Sequence, residues 1–241
     1  MSSKTPLYSD LFPTKYDEDD FGYSPEWTNE IEKWLITAKN TDEEIYNKQI
    51  NRVNRAKQRD ELLGEYKAMY VVKERWKLSD LKFTDEENAP QKIPDFVFID
   101  AKGKHWNSEV KSPSWLAELA EDMESGQITK SEFLARKKKP QFINGEGRWS
   151  SFEIFRNPIE DAVLKFKTGE NNLLFLCPNT FGPLGLFGAM EDWHQLRKII
   201  AELDKEEKIS AICYLDVSLY MDGFRYLDQL IKMKHLPSIN G

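Results

Sequence analysis

The chain has 241 residues, 40% of them hydrophobic and 31% charged, and a formal net charge of −7. That apolar content fills one sizeable core, so one domain with extensions is expected rather than two; no apolar run is long enough to span a membrane, and the acidic balance argues against a general polyanion binder. Cys177 and Cys213 sit in apolar runs without metal-ligand spacing, which excludes a disulfide scaffold and reads as buried thiols of a reducing compartment. Met1-Ser2-Ser3-Lys4 leads into polar, acidic sequence rather than a signal peptide's apolar run, so a cytoplasmic location is expected.

Residues 1–23 are aromatic and acidic without periodicity and read as an arm on the domain. Ser24-Pro25 can cap a helix to about Ala38, giving an arm and short helix over 1–40 ahead of a single domain over 41–241. Thr41-Asp42-Glu43-Glu44 is a capping-box pattern that predicts one long helix to about Arg75. On that helix Lys48, Arg52, Arg55 and Arg59 recur at spacings of four, three and four, which puts them on one face. Such a stripe could track a phosphate backbone; a merely solvated face is the competing reading. Leu78 to Phe83 reads as a strand, Phe96-Val97-Phe98-Ile99 as a second, and His105 to Lys111 as a third. Ser112-Pro113 and Thr129-Lys130-Ser131-Glu132 each open a helix, and between them and Asn157 lies a second basic cluster, Arg136-Lys137-Lys138-Lys139. A helix over Asn157 to Phe166, strands near 172–178 and 209–217 flanking a helix of about 189–206, and a closing helix from Asp222 complete an alternating α/β order.

Phe181 to Gly188 is glycine-rich but lacks the Lys-Ser/Thr ending of a phosphate-binding P-loop, so it reads as a loop after a strand. His105 and His194 have no ligand-spaced partner, and no nucleophile elbow supports serine hydrolysis.

The chemistry concentrates in the segment from Pro94 to Lys111. Asp100 to Lys104 reads as a turn in which Gly103 is free to take positive φ. If Ile99 pairs with His105, Asp95 lies opposite Glu109. Side chains alternate along a strand, so Asp95, Val97, Glu109 and Lys111 then share one face, while Phe96, Phe98, Trp106 and Val110 share the other. The aromatic face has a core to enter and the charged face is expected to lie open. A slip of one residue would bury the acids and expose the aromatics, which favours this register. Opposed carboxylates are destabilising unless a cation lies between them, and two hard oxygens suit Mg2+ or Mn2+.

Pro94-Asp95, Glu109-Val110-Lys111 and the helical segment Gly64 to Tyr70 together resemble the PD-(D/E)XK nuclease superfamily, over roughly positions 60 to 180. The resemblance implies a restriction-endonuclease-like α/β core, a mixed central sheet flanked by helices, here with a helical N-terminal extension and an insertion at about 112–156 after the hairpin. It also implies a Mg2+-dependent deoxyribonuclease, an endonuclease hydrolysing phosphodiesters of nucleic acid, with DNA ahead of RNA. Asp95, Glu109 and the carbonyl of Val110 would hold the metal, with Glu65 as third acid or Glu61 in its stead. Lys111 would orient the attacking water or neutralise charge on the phosphate. Lys165 on the crossover helix would contact a phosphate, against a competing reading as the exposed side of an amphipathic helix. Nucleic acid is the expected partner, and a homodimer or a partner subunit of a larger DNA-processing system is compatible with cutting two strands. Two other classes stay open at this point: a non-catalytic binding or assembly module on the same fold, and a protein-interaction factor docking through its N-terminal arm.

Overall fold

The computed structural model describes Leu7, Leu11 and residues 25–54, 56–78, 80–84, 92–112, 122–123, 125–129, 131–132, 142–143, 146–147, 155–177, 193–220 and 223–232. Its architecture is mixed α/β. Helix α1 spans Pro25–Thr41 and buries Trp27, Ile31, Trp34, Leu35 and Ala38, the stripe expected of a helix with one face in a core. Asp42 then caps α2, Glu43–Arg52, by accepting from the Ile45 N–H at 3.0 Å.

The single helix expected from Thr41 to Arg75 is in fact divided. Val53 leaves the helical region with ψ 107°, and Gln58 caps the next segment by accepting from the Asn54 N–H. Helix α3, Ala56–Tyr70, follows and continues as a π-helical turn, Val71–Arg75. The break folds α3 back on α2: Tyr46 stacks on Tyr66 at 5.6 Å, and the Tyr66 hydroxyl donates to Gln49. Burying two aromatic rings outweighs the few backbone hydrogen bonds lost at the break.

A six-stranded sheet runs in the order β1-β2-β3-β6-β7-β8. Its strands are β1 (Lys82–Phe83), β2 (Phe96–Ile99), β3 (His105–Lys111), β6 (Asn172–Leu176), β7 (Ala211–Tyr220) and β8 (Gly223–Lys232), while β4 (Phe142–Ile143) and β5 (Glu146–Gly147) pair separately. Central β3, β6 and β7 are parallel and the flanking pairs antiparallel. The parallel connections contain α4 (Arg156–Lys165) and α5 (Trp193–Leu203). Both pack with Leu174, Leu176, Ile212 and Tyr214 on one face of the sheet, whereas α1 and α3 pack with Phe96, Phe98, Trp106, Phe175, Cys177 and Cys213 on the other. The sheet thus separates two cores, and both cysteines are buried thiols.

Three further expected elements differ. Asp222 does not open a closing helix: β8 pairs with β7 from Tyr220↔Gly223 to Ala211↔Lys232. Phe224 and Tyr226 alternate toward the first core, Phe224 edge-on to Trp27 and Tyr226 tilted against Tyr70, so a period of two won over helix propensity. The first strand is cut to Lys82–Phe83, because Lys77 and Asp80 take positive φ before it. Helix α5 stops at Leu203, where the Asp204 carboxylate accepts from the N–H groups of Lys208 and Ile209 and turns the chain into β7. The expected helix at Ser112-Pro113 and the Phe181–Gly188 loop lie largely or wholly outside the described residues. At Thr129 the reciprocal capping bonds with Glu132 are formed.

Candidate active site

The β2–β3 hairpin positions the acids. Gly103 takes φ 76° in the turn, and Asp100 ties it by accepting from the N–H groups of Lys102 and Lys104 and from the Trp106 indole. Ile99 pairs with His105 and Phe96 with Ser108, and one step further the Asp95 N–H donates to the Ser108 carbonyl at 2.9 Å. Phe96↔Ser108 is the last pair of the ladder, so Asp95 stands just before it, at the Glu109 end of β3. Its Oδ2 accepts from the Val110 N–H at 2.7 Å. N–H and C=O of one strand residue point to the same edge, so the Val110 carbonyl faces the Asp95 side as well.

The charged face is not open, contrary to the expectation from the hairpin alone. Parallel pairing sets Glu109 beside Leu174 and Lys111 beside Leu176, on the face that α4 and α5 cover. Glu109 is 1% exposed. Helix α4 ends here, and its last residue reaches both acids: Lys165 Nζ lies 3.2 Å from Asp95 Oδ1 and 3.0 Å from Glu109 Oε1. Lys111 Nζ lies 2.9 Å from the same Glu109 oxygen. Lys165 is thus not the exposed side of an amphipathic helix, and its position at a helix C-terminus suits a cation.

Burial is the largest influence on Glu109 and the charge of Asp95 the next; together they push its pKa up to about 8, against the pull of Lys111 and Lys165. Glu109 Oε2 is buried without a hydrogen-bond partner, as are Ser108 Oγ on β3 and Ser112 Oγ just beyond it. An unsatisfied carboxylate oxygen beside a second carboxylate is the donor chemistry that a hard divalent cation takes. Among the described residues no cluster of three or more His, Cys, Asp and Glu side chains forms a metal site.

The other residues singled out in the sequence are dispersed. Glu65 is half-buried on α3 and accepts from Gln49 of α2 at 3.5 Å, while Glu61 is exposed one turn earlier. Helix α3 does approach the hairpin: Gly64 lies against Ser112 and Val110. The basic stripe is broken with the helix that would have carried it. Lys48 pairs with Glu44 at 2.9 Å, Arg52 is exposed on α2, and Arg59 is buried on α3. Arg55 and Lys137, Lys138 and Lys139 lie outside the described residues. The contact of Lys165 with both acids was missed by helical periodicity, which registers faces and not what a terminal side chain reaches.

No family model and no curated protein matches the chain. No helix among the described residues is long and apolar enough to cross a membrane. Among solved structures, that of Pyrococcus furiosus SfsA in complex with Ca2+ is similar over 69% of this chain, at 12% identity and a TM-score of 0.31. The match spans 62% of that protein's own length, and a likeness this weak carries no argument about activity.

Proposed function

We propose that the chain is a metal-dependent endonuclease with a restriction-endonuclease-like core, hydrolysing phosphodiesters of nucleic acid, DNA in the first place. The observation that supports this most is the juxtaposition at the hairpin: Asp95 and Glu109 both within 3.2 Å of one ammonium, with a second ammonium, that of Lys111, 2.9 Å from Glu109. Asp95, Glu109 and the Val110 carbonyl would hold Mg2+, or Mn2+ in its place, with Glu65 or Glu61 completing the set through water. When bound, the ion supplies Lewis-acid polarisation of the phosphate and a bound water of lowered pKa.

The residues of the chain do the rest. The Val110 N–H holds Asp95 Oδ2 in place, so the carboxylate is oriented before any ligand arrives. Lys111, half-buried on a strand, has an ammonium fixed by Glu109 that can neutralise charge on a phosphate oxygen or donate to the attacking water. Helix α4 covers the face and keeps bulk water from Glu109.

Cleavage of supercoiled plasmid, linear duplex and single-stranded DNA by the purified chain, with Mg2+, Mn2+ or EDTA, tests this beside Lys111→Ala. Metal-dependent cutting lost in the variant supports the assignment; cutting retained by Lys111→Ala refutes it. A second reading, a non-catalytic nucleic-acid-binding or assembly module on the same fold, is favoured by one observation: among the described residues no third acid joins Asp95 and Glu109. Binding of DNA with equal affinity in EDTA, and no cutting, would select it.

A further inference from the structure

We infer that Lys165 is a built-in competitor for the divalent cation, its ammonium holding the position between Asp95 and Glu109 and leaving it when metal binds. The inference rests on the metal-dependent reading above and adds a regulation of that site. Of the two lysines, Lys165 alone bridges the acids, at 3.2 Å from Asp95 Oδ1 and 3.0 Å from Glu109 Oε1. Lys111 contacts Glu109 at 2.9 Å and no contact joins it to Asp95. A divalent ion held between the two carboxylates would stand within a few ångströms of the Lys165 ammonium, and like charges at that separation in a largely buried site repel strongly.

The two ammonium groups also differ in what holds them. Lys111 closes β3, where it pairs with Leu176 of β6 and its carbonyl accepts from the Cys177 N–H. Lys165 is the last residue of α4, and Phe166 after it is already extended at ψ 146°. A flexible four-carbon stem at a helix end can swing outward while the helix stays. The released ammonium would stand at the mouth of the site, where a phosphate is the complementary charge. Without metal, Lys165 offsets the repulsion between the opposed acids, so the fold does not depend on the ion.

Mn2+ titration of the full chain, followed by the electron paramagnetic resonance of free Mn2+ at one fixed pH, tests this on wild type, Lys165→Met, Lys165→Arg and Glu109→Gln. Circular dichroism checks that each is folded. Lys165→Met is expected to bind Mn2+ about 10-fold tighter than wild type or better, and Lys165→Arg, which keeps the charge, to stay near wild type. Lys165→Met binding no tighter, with Glu109→Gln abolishing the wild-type binding, overturns the inference and leaves the metal site standing. No binding by any of the four chains overturns both. A second readout needs no substitution: acylation of Lys165 in wild type by an N-hydroxysuccinimide ester, quantified by mass spectrometry, should rise when Mn2+ saturates. Unchanged acylation with Mn2+ bound overturns the inference.

Discussion

Lys165 and Asp95 are 70 positions apart in the chain, and their Nζ and Oδ1 atoms lie 3.2 Å apart. The bond ties the end of α4 to the start of the hairpin, so the helix that covers the site also neutralises it. Asp95→Ala removes one of the acceptors of that ammonium and the acceptor of the Val110 N–H. Cleavage should fall at least about 100-fold, the scale for losing a group that binds the catalytic ion or the charge it stabilises. Stability should fall by about 1–3 kcal/mol, because a buried N–H loses its acceptor and the ammonium loses one of its contacts. Activity assays beside urea unfolding separate the two effects: a variant that unfolds like wild type yet still cuts would remove Asp95 from the mechanism.

Glu109 gives the site a pH signature. Its folded pKa is pushed up to about 8 from an ordinary 4.5, so between these values the folded chain holds a proton that the unfolded chain has released. The associated stability is complete below the unfolded value and is lost as pH rises through about 8. Glu109→Gln resembles the protonated form. Its unfolding free energy should exceed that of wild type by a margin that widens from about pH 5 to about pH 8.5, reaching on the order of a few kcal/mol. Scanning calorimetry at both ends decides; a margin that narrows on going alkaline contradicts the assignment. Metal binding needs the ionised carboxylate, so wild-type Mn2+ affinity should climb over the same interval.

Gly64 sets how closely α3 can approach the hairpin. A Cβ there would stand 1.6 Å from Ser112 Oγ and 2.7 Å from Ser112 Cβ. Rotating the hydroxyl away cannot relieve the second clash. Gly64→Ala should cost about 2 kcal/mol or more by forcing α3 off the sheet. Ser112→Gly removes both clashing atoms, so the double variant should recover most of that loss, a coupling that a thermodynamic cycle reads directly. Simple additivity would show that α3 is not seated here.

The hairpin was legible because its information is local. Alternating Phe96, Phe98 and Trp106 fix which face enters the first core, and Gly103 at φ 76° fixes the turn, so the Ile99↔His105 register follows from a short stretch of chain. The break after Arg52 was not legible, since Val53-Asn54 contains neither proline nor glycine and the break is stabilised by Tyr46 meeting Tyr66. At the C-terminus the pattern was present but read at the wrong period. Leu227 to Lys232 has a composition a helix tolerates, while Phe224, Tyr226 and Asp228 alternate toward Trp27, Tyr70 and Trp76. The contact of Lys165 with the acids depends on where α4 crosses the sheet, which no local pattern encodes.

Asp100 ties the turn whose register brings Asp95 to the Glu109 end of β3. Its Oδ1 accepts from the N–H groups of Lys102 and Lys104 at 2.8 and 2.9 Å, and its Oδ2 accepts from the Trp106 indole at 3.0 Å. Burial alone would raise its pKa, but these bonds and the Lys104 charge outweigh it and hold the carboxyl below the ordinary 3.8. Asp100→Ala strands the indole N–H of a fully buried Trp106 and two turn amides, and should cost about 2–4 kcal/mol. Because Ile99↔His105 is the first pair beyond that turn, the loss should also reach the acids several residues away. Mn2+ binding should weaken in Asp100→Ala although Asp100 itself has no part in it. A depressed folded pKa contributes stability above the unfolded value that disappears as pH falls through the folded one, so the gap between wild type and Asp100→Ala in urea unfolding should shrink on acidification below about pH 4. Unchanged Mn2+ affinity in a folded Asp100→Ala chain would show that the strand ladder holds the register without the turn.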